Sequence, residues 1–537
     1  MKRLRKHSKT PCKWALALFA SFSICTLFTG CNSAKKDDTL TLRICNWEEY
    51  IDEGGWDEEE TIDLEDKDII GENSMIDDFT AWYKETTGKD IKVEYSCFGS
   101  NEELYNQLTL GDTFDLVCPS EYMIMKLLAE DELIPLSDGF WDTENPDNYY
   151  ARGVASYIRE KMGTIEINNE SIDKYAAGYM WGTTGIVYNP EVVSAEEAST
   201  WKVLTNPKFR CQVTIKDNVR DSYFAAVGIL KSEKLMEEQL NYYANSSHYP
   251  GESTLNEQIT KEMNDTSPDT IAQVEELLQD NKDHFYSFES DSGKADMITG
   301  KVVANYQWSG DAVYTLDQAE EDDYELCYSV PTECSNLWFD GWVLMKDGIG
   351  KDAEKQAAAE AFINYVSMPD NVVRNMYYIG YTSAIAGGDD DTIFQYADWC
   401  YGADEEENAE ELTKYDLSYF FQNENDLTAD EDNLATNEDD SASDENNLAT
   451  DANHLTAGEN DSIADEDAAS ADEQSFETGN RYVITTTKDQ EYRQLFAQYP
   501  TPQVLERCAV MDYFGNETNK ELNQMWINVR CFNPFRK

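Results

Sequence analysis

Six short segments of the sequence combine aromatic side chains with carboxylates or small polar groups, and each lies at or near the end of a predicted strand. They are residues 46–50, 119–122, 179–184, 217–221, 306–312 and 337–342. An aromatic face attracts an ammonium group by roughly 0.5–2 kcal/mol. A desolvated ammonium also requires a carboxylate as its counter-charge. Together, the six segments predict a binding site for an organic cation.

The elements that must position these segments alternate between strand-like and helix-like patterns. Residues 39–45 and 91–98 show the period of two that is typical of strands. Ser100 followed by Glu103 forms a capping-box pattern that begins a helix. Strands that alternate with helices predict an α/β fold with largely parallel sheets. Ligands of such sheets bind outside the carboxyl ends of the strands, so we expect residues 47–50 to border the ligand.

The composition argues against several classes of protein. The chain has 537 residues, enough for two or three domains, and its 106 acidic and 42 basic residues give a net charge of −64. This charge argues against a nucleic-acid partner and favours a cationic one. The sequence has four histidines and no H-E-x-x-H, P-loop or G-x-S-x-G motif. We therefore expect no enzyme, no cofactor and no metal site, with an extracytoplasmic enzyme as a distant alternative.

The N-terminus has the pattern of a processing signal. Basic residues 1–13 precede the apolar run 14–29, and we predict a signal peptide over residues 1–30. Gly30 before Cys31 resembles a lipobox, in which Cys31 carries a lipid anchor. Residues 31–38 would then form a polar tether. A plain secretory signal or an uncleaved anchor is the alternative.

A second unusual segment lies near the C-terminus. Residues 421–480 contain 19 acidic residues and no Lys or Arg. Such a segment cannot bury enough apolar surface to fold. We predict that residues 421–480 form a disordered, acidic, low-complexity insertion.

Several motifs occur in the order found in one known family. They are "NWEEY", "SCFGSNEELYNQL", "FDLVCPSEYMIMKL", "YMWGTTGIVYN", "YQWSGDA", "FDGWVL" and "IGYTSA". As a set they resemble spermidine/putrescine-binding proteins, the extracytoplasmic receptors of polyamine ABC importers. The resemblance covers most of the chain from about residue 40, apart from the acidic insertion and a shorter one near residues 52–68.

The resemblance implies a fold and its division into lobes. The expected fold is the type II periplasmic-binding-protein fold, in which two α/β lobes are joined by a hinge and the ligand lies in the cleft between them. Each lobe would contain a mostly parallel sheet flanked by helices. The N-terminal lobe would comprise residues 39–185 and 339–386. The C-terminal lobe would comprise residues 186–338, 387–420 and 481–537.

The resemblance also implies the ligand-binding residues. On the N-lobe side of the cleft they would be Trp47, Glu48, Tyr50, Ser120 and Tyr122. Trp308 would stack on the methylene chain, and Trp338 with Asp340 would hold an amine. The remaining candidates are Asn218, Asp221, Tyr381 and Met511.

Three positions depart from the family pattern. Asn218 stands where some relatives have an acid, Met511 where many have Gln, and Glu48 where a smaller polar residue is usual. The choice between spermidine and putrescine therefore stays open.

The resulting prediction is a monomeric, lipid-anchored receptor on the outer side of the cell membrane. It would deliver a polyamine to an ABC permease, and ligand binding would shift an equilibrium between open and closed lobes. Two alternatives remain at this point. One is a receptor for another small cationic amine, and the other is an acidic calcium-binding or adhesive surface protein.

Overall fold

The computed structural model describes residues 39–57, 60–244, 254–403, 412–422 and 481–531. The predicted signal peptide, the tether and the lipid site at Cys31 lie outside these ranges. Within them, no helix is both long enough and apolar enough to cross a bilayer. The same ranges contain no group of three or more His, Cys, Asp or Glu side chains that could hold a metal ion.

The strands and helices alternate along the chain, as predicted. The strands are β1 Leu40–Trp47, β2 Ile62–Asp63, β3 Asp68–Ile69, β4 Ile91–Phe98, β5 Leu116–Val117, β6 Leu133–Ile134, β7 Glu166–Ile167, β8 Glu170–Ser171, β9 Ala176–Tyr188, β10 Val213–Lys216, β11 Ser287–Glu289, β12 Ala304–Trp308, β13 Cys327–Ser329, β14 Ser335–Met345, β15 Thr382–Ser383, β16 Leu412–Asp416, β17 Val483–Thr487 and β18 Cys508–Ala509.

The helices complete the α/β pattern. They are α1 Met75–Thr87, α2 Asn101–Leu110, α3 Glu121–Ala129, α4 Tyr149–Gly153, α5 Ser156–Gly163, α6 Ala195–Ala198, α7 Val219–Ala244, α8 Leu255–Met263, α9 Pro268–Asn281, α10 Gly293–Ile298, α11 Ser309–Glu321, α12 Lys346–Ile349, α13 Ala353–Val366, α14 Pro369–Ile379, α15 Thr392–Tyr401, α16 Ser418–Phe421, α17 Gln494–Gln498, α18 Pro502–Leu505 and α19 Gly515–Cys531.

The described strands form three separate pairs, β2–β3, β7–β8 and β16–β17, and one extended sheet with two parallel halves. Its order is β11-β10-β12-β9-β14-β5-β1-β4. β4, β1 and β5 are parallel to one another, and so are β11, β10 and β12. The long antiparallel strands β9 and β14 join the two halves. These two strands therefore connect the two parts of the protein. Every residue of both is buried.

The register of the joining strands is irregular at one point. Asp340 of β14 pairs with Met180 of β9, but the next residue, Gly341, pairs with Gly178. Tyr179 is therefore one extra residue in β9, which makes a β-bulge. Bulges bend a strand and redirect side chains, and this one lies beside a predicted ligand-binding residue.

The buried apolar side chains form two clusters. The first covers the half-sheet of β1, β4 and β5. The second covers the half-sheet of β10, β11 and β12, together with α7 and α19. Buried residues of α15, α16 and β17 belong to the first cluster. Two cores agree with two lobes, while the predicted limits of the lobes stay a prediction.

The start of the acidic insertion belongs to the folded chain. Phe421 ends α16, is 2% exposed, and stacks on Tyr482 with ring centroids 5.8 Å apart. Residues 423–480 lie outside the described residues. Because Phe421 and Tyr482 are in contact, the chain leaves and re-enters the domain at the same place.

We expect that residues 423–480 can be replaced by a short Gly-Ser linker without loss of stability. The two ends already meet, and closing a shorter loop costs less entropy, by about 0.6 kcal/mol for each halving of its length. Thermal unfolding of the full chain and of the shortened chain provides the measurement. A fall of more than about 5 °C in the unfolding temperature would contradict the prediction.

Candidate ligand-binding site

Asp340 is a buried carboxylate at the centre of the predicted site. It is 5% exposed, and its Oδ2 and Oδ1 accept hydrogen bonds from the hydroxyls of Tyr50 and Ser120, each at 2.7 Å. Among the described residues, no Lys or Arg forms an ion pair with it. Burial raises the pKa of Asp340 to about 6, because no such ion pair offsets the cost of burying the charge. A buried acid without a counter-charge marks a place where a cation from solution is stabilised.

The sheet brings these three residues together. β1 and β5 are neighbouring parallel strands, so Tyr50 and Ser120, which follow them, reach the same edge. The backbone pairing of Ser120 with Asp340 ties that edge to β14. The strand-end rule used on the sequence explains this placement.

Asn101 fixes the hydroxyl groups on the N-lobe side of the site. Its Nδ2 donates to Ser120 Oγ at 3.0 Å and to Tyr122 Oη at 2.9 Å. Its Oδ1 accepts from the backbone N–H of Ser120 at 3.1 Å. Asn101 is 3% exposed, and it was not among the residues singled out from the sequence. Its position as the first residue of a capped helix was the available signal.

Glu121 is a second buried acid beside Asp340. It is 1% exposed, and its Oε2 accepts from the backbone N–H of Phe339 at 3.3 Å. Burial and the neighbouring Asp340 raise the pKa of Glu121 to about 8. At neutral pH the pair therefore carries mainly the single negative charge of Asp340.

An aromatic wall extends from Asp340. The ring of Tyr381 lies 5.8 Å from that of Tyr50 and 5.3 Å from that of Trp338, measured between centroids. Trp338 and Asp340 are two residues apart on β14 and so share one face of the strand. A Cβ atom at Gly310 would lie 1.8 Å from the Tyr381 ring. Only glycine at this position lets the wall form.

Asp311 is a second carboxylate at the far side of this wall. Its Oδ1 accepts from the hydroxyl of Tyr381 at 3.2 Å and from Lys294 Nζ at 3.2 Å. The site thus has a carboxylate at each end of an aromatic path. In the sequence, Asp311 lies within the aromatic segment 306–312 but was not a predicted ligand-binding residue. Its position three residues after Trp308, in the first turn of α11, was the signal that could have identified it.

The other half-sheet supplies Trp308, Asn218 and Asp221. Lys216 Nζ lies 3.9 Å from the centroid of the Trp308 ring. Asn218 Nδ2 donates to Asp221 Oδ2 at 2.6 Å. Asp221 is 6% exposed, and burial raises its pKa.

Arg220 connects this half with the first one. Its guanidinium carbon lies 4.6 Å from the centroid of the Tyr122 ring. Its Nη2 donates to the backbone oxygen of Asp512 at 2.6 Å. Arg220 is 8% exposed. The contact therefore holds residues of the two half-sheets against each other beside the site.

Three predicted residues lie apart from these contacts. Trp47 packs on Phe98 with ring centroids 4.6 Å apart. Glu48 is exposed, and Met511 is 4% exposed within the second apolar cluster. In the described chain, no hydrogen bond or ring contact joins them to Asp340. Their contact with a ligand stays a prediction.

Comparison with known proteins identifies the family. Residues 74–399 match the family described as bacterial extracellular solute-binding protein, which is more than half of the chain. The chain belongs to this family. Relatives of this solute-binding protein are named as binding proteins, which fits the expectation of a protein without catalysis.

Two curated relatives of this solute-binding protein are named for polyamines. The putrescine-binding periplasmic protein PotF of Escherichia coli is 26% identical over 382 residues, which are 69% of this chain and 84% of the relative. The spermidine/putrescine-binding periplasmic protein 1 of Haemophilus influenzae is 24% identical over 386 residues, 69% of this chain and 85% of the relative.

A solved structure supports the fold of the solute-binding protein. It is a Listeria monocytogenes protein described as a spermidine/putrescine ABC transporter, with 19% sequence identity and a TM-score of 0.50. The match covers 92% of this chain and 99% of that one. The predicted two-lobed α/β fold is confirmed.

We expect Asp340→Asn to weaken amine binding more than Trp47→Leu does. The first change removes the counter-charge of a buried ammonium, a loss of roughly 2–5 kcal/mol, or at least about thirtyfold in affinity. The second removes one aromatic face, worth roughly 0.5–2 kcal/mol. Titration calorimetry with putrescine measures both. Asp90→Asn, at an exposed residue paired with Lys84, is the control for loss of one negative charge. The reverse order would mean that stacking dominates.

Proposed function

We propose that this protein is an extracytoplasmic receptor for a polyamine, spermidine or putrescine, and delivers it to an ABC permease. The main support for this proposal is the buried carboxylate of Asp340, which has no cation partner in the described chain. The names of the relatives support polyamines as the ligand class. A receptor for another small cationic amine is the first alternative, and these relatives do not favour it. A calcium-binding or adhesive surface protein is not favoured by these relatives.

Different residues of the site contact different parts of the ligand. One ammonium of the ligand pairs with Asp340, where it offsets the cost of burying that charge. The methylene chain packs along Trp338, Tyr381 and Trp308. A second amine approaches Asp311 at the other end. An aromatic path between two acids suits a linear ligand with separated amines.

Lobe closure follows from where the site lies. β9 and β14 cross from one half-sheet to the other, and residues of both halves border the site. A ligand that contacts both halves binds the closed form better than the open form and shifts the equilibrium towards it. The Arg220–Tyr122 contact is a direct link between the two halves. The permease would recognise the closed form.

The anchor completes the proposed function. A lipid on Cys31 would hold the receptor at the membrane, close to its permease. The lipobox-like sequence before Cys31 supports this. A Cys31→Ser variant that stays in the membrane fraction would refute the anchor without affecting the proposed ligand.

Calorimetry of the mature protein tests the ligand class. Spermidine, putrescine, choline and lysine are titrated separately into the wild-type protein and into Asp340→Asn. We expect at least one polyamine to bind at micromolar concentration or more tightly, and binding to be lost in the variant. No polyamine binding at micromolar concentration would refute the proposal, and preferential binding of choline or lysine would favour the alternative receptor.

We also expect binding to weaken as the pH falls through 6. The ammonium requires ionised Asp340, whose pKa in the ligand-free protein is about 6, and a bound cation lowers that pKa. Protons therefore compete with the ligand below pH 6, while affinity is nearly constant between pH 6.5 and 7.5. At pH 5 the affinity should be about tenfold lower than at pH 7.

Buffers of different ionisation enthalpy provide a second measurement of this effect. Binding at pH 5.5 should release a proton, and the observed enthalpy should vary with the buffer. Glu121, with a pKa of about 8, is already protonated in this range and should not contribute. An affinity for putrescine that is unchanged between pH 7 and 5 would contradict the role of Asp340.

A further inference from the structure

Lys294 places a positive charge of the protein itself in the candidate site. It belongs to α10, and its Nζ lies 3.2 Å from Asp311 Oδ1 and 2.7 Å from Asp291 Oδ1. Its side chain is 25% exposed and that of Asp311 is 15% exposed. The two carboxylates raise the pKa of Lys294. The lysine therefore stays charged across the physiological pH range.

Asp340 and Asp311 consequently differ in their charge balance. Asp340 accepts hydrogen bonds from neutral hydroxyls and has no cation partner in the described residues. Asp311 already has its counter-charge in Lys294. A ligand ammonium that approaches Asp311 meets a like charge at the position it would occupy. It must displace Lys294 or bind beside it, and both reduce the affinity.

Displacement of Lys294 is possible because it has a second partner. The Asp291 side chain is 85% exposed, on the solvent side of the site. If Lys294 releases Asp311, it can keep its ion pair with Asp291. The cost of displacement is then that of one partly exposed ion pair. Such a cost tunes affinity and does not block binding.

We propose that Lys294 is a specificity-determining residue, an internal counter-ion of Asp311 that disfavours additional positive charge on the ligand. The inference rests on the proposed function, because it assumes that the site binds amines. It adds that the site discriminates between amines by their number of charges. A ligand that needs only Asp340 is unaffected by Lys294, whereas a ligand with a second ammonium competes with it.

A series of amines of increasing charge tests the inference. Butylamine, putrescine and spermidine are titrated into the wild-type protein, Lys294→Met and Lys294→Arg. We expect Lys294→Met to bind putrescine and spermidine about fivefold more tightly, as loss of one partly exposed ion pair predicts. Butylamine affinity should change by less than about twofold. Lys294→Arg keeps the charge and should retain the wild-type ratios.

The matched control is Lys301→Met. Lys301 Nζ pairs with Asp296 Oδ1 at 2.8 Å, just after the same helix, and its side chain is 53% exposed. This change removes the same charge from the same region but leaves Asp311 and its partners intact. The ratio of putrescine to butylamine affinity should equal that of the wild type. If Lys294→Met fails to fold, Lys294→Gln removes the charge with a more polar side chain.

The outcomes separate this inference from the proposed function. If the wild type binds polyamines but Lys294→Met changes the affinities for butylamine and putrescine by the same factor, the inference is wrong and the proposed function stands. Weaker putrescine binding by Lys294→Met also overturns it. If no variant and no wild-type protein binds any of the three amines, the proposed function fails and the inference fails with it.

Discussion

The burial of Asp340 without a counter-charge is the constraint around which the site is organised. Holding an acid of this kind with its pKa at about 6 costs on the order of 3 kcal/mol at neutral pH. Two hydroxyl donors, from Tyr50 and Ser120, limit this cost but carry no charge. The ligand-free protein therefore contains a position that only a cation stabilises fully. A bound amine would remove that cost, whereas a neutral solute of the same shape would leave it unchanged.

The sheet keeps this acid away from water. Asp340 lies on β14, which is buried along its whole length and pairs with the equally buried β9. Both strands run through the two half-sheets, so their central residues are covered from each side. The carboxyl ends of β1 and β5 then bring hydroxyl groups to Asp340. The burial of Asp340 thus depends on β9 and β14, whereas its hydrogen bonds depend on the ends of β1 and β5.

Part of this arrangement could be predicted from residue patterns. The alternation of strands and helices predicted the parallel half-sheets, and the strand-end rule predicted that residues 47–50 would lie at the carboxyl edge of the first strand. These predictions work because backbone geometry fixes where a parallel strand ends. Asp340, Trp338 and Tyr381 were implied by motif resemblance, and the structure brings their side chains together.

Other features depend on tertiary contacts that no local pattern contains. Lys294 meets Asp311 only because α10 and α11 flank β12, and 17 residues separate the two in the chain. Glu48 is a residue whose position the strand pattern could not predict. The period of two ends with β1, and the following turn has Glu49 at a φ of 55°. Beyond that point, alternation no longer determines which side chains face inward, and Glu48 is exposed.

The bulge in β9 has a consequence for how the two lobes can differ. If both joining strands alternated regularly, the residues that face inward in one lobe would determine which residues face inward in the other lobe. Tyr179 is one extra residue in β9, so the alternation of faces shifts by one residue at this point. Its hydroxyl donates to the backbone oxygen of Tyr50 at 2.9 Å, and its own carbonyl accepts from the backbone N–H of Ala384 at 2.9 Å. One inserted residue thus lets each lobe keep its own inward-facing set, and the two sets meet beside Asp340.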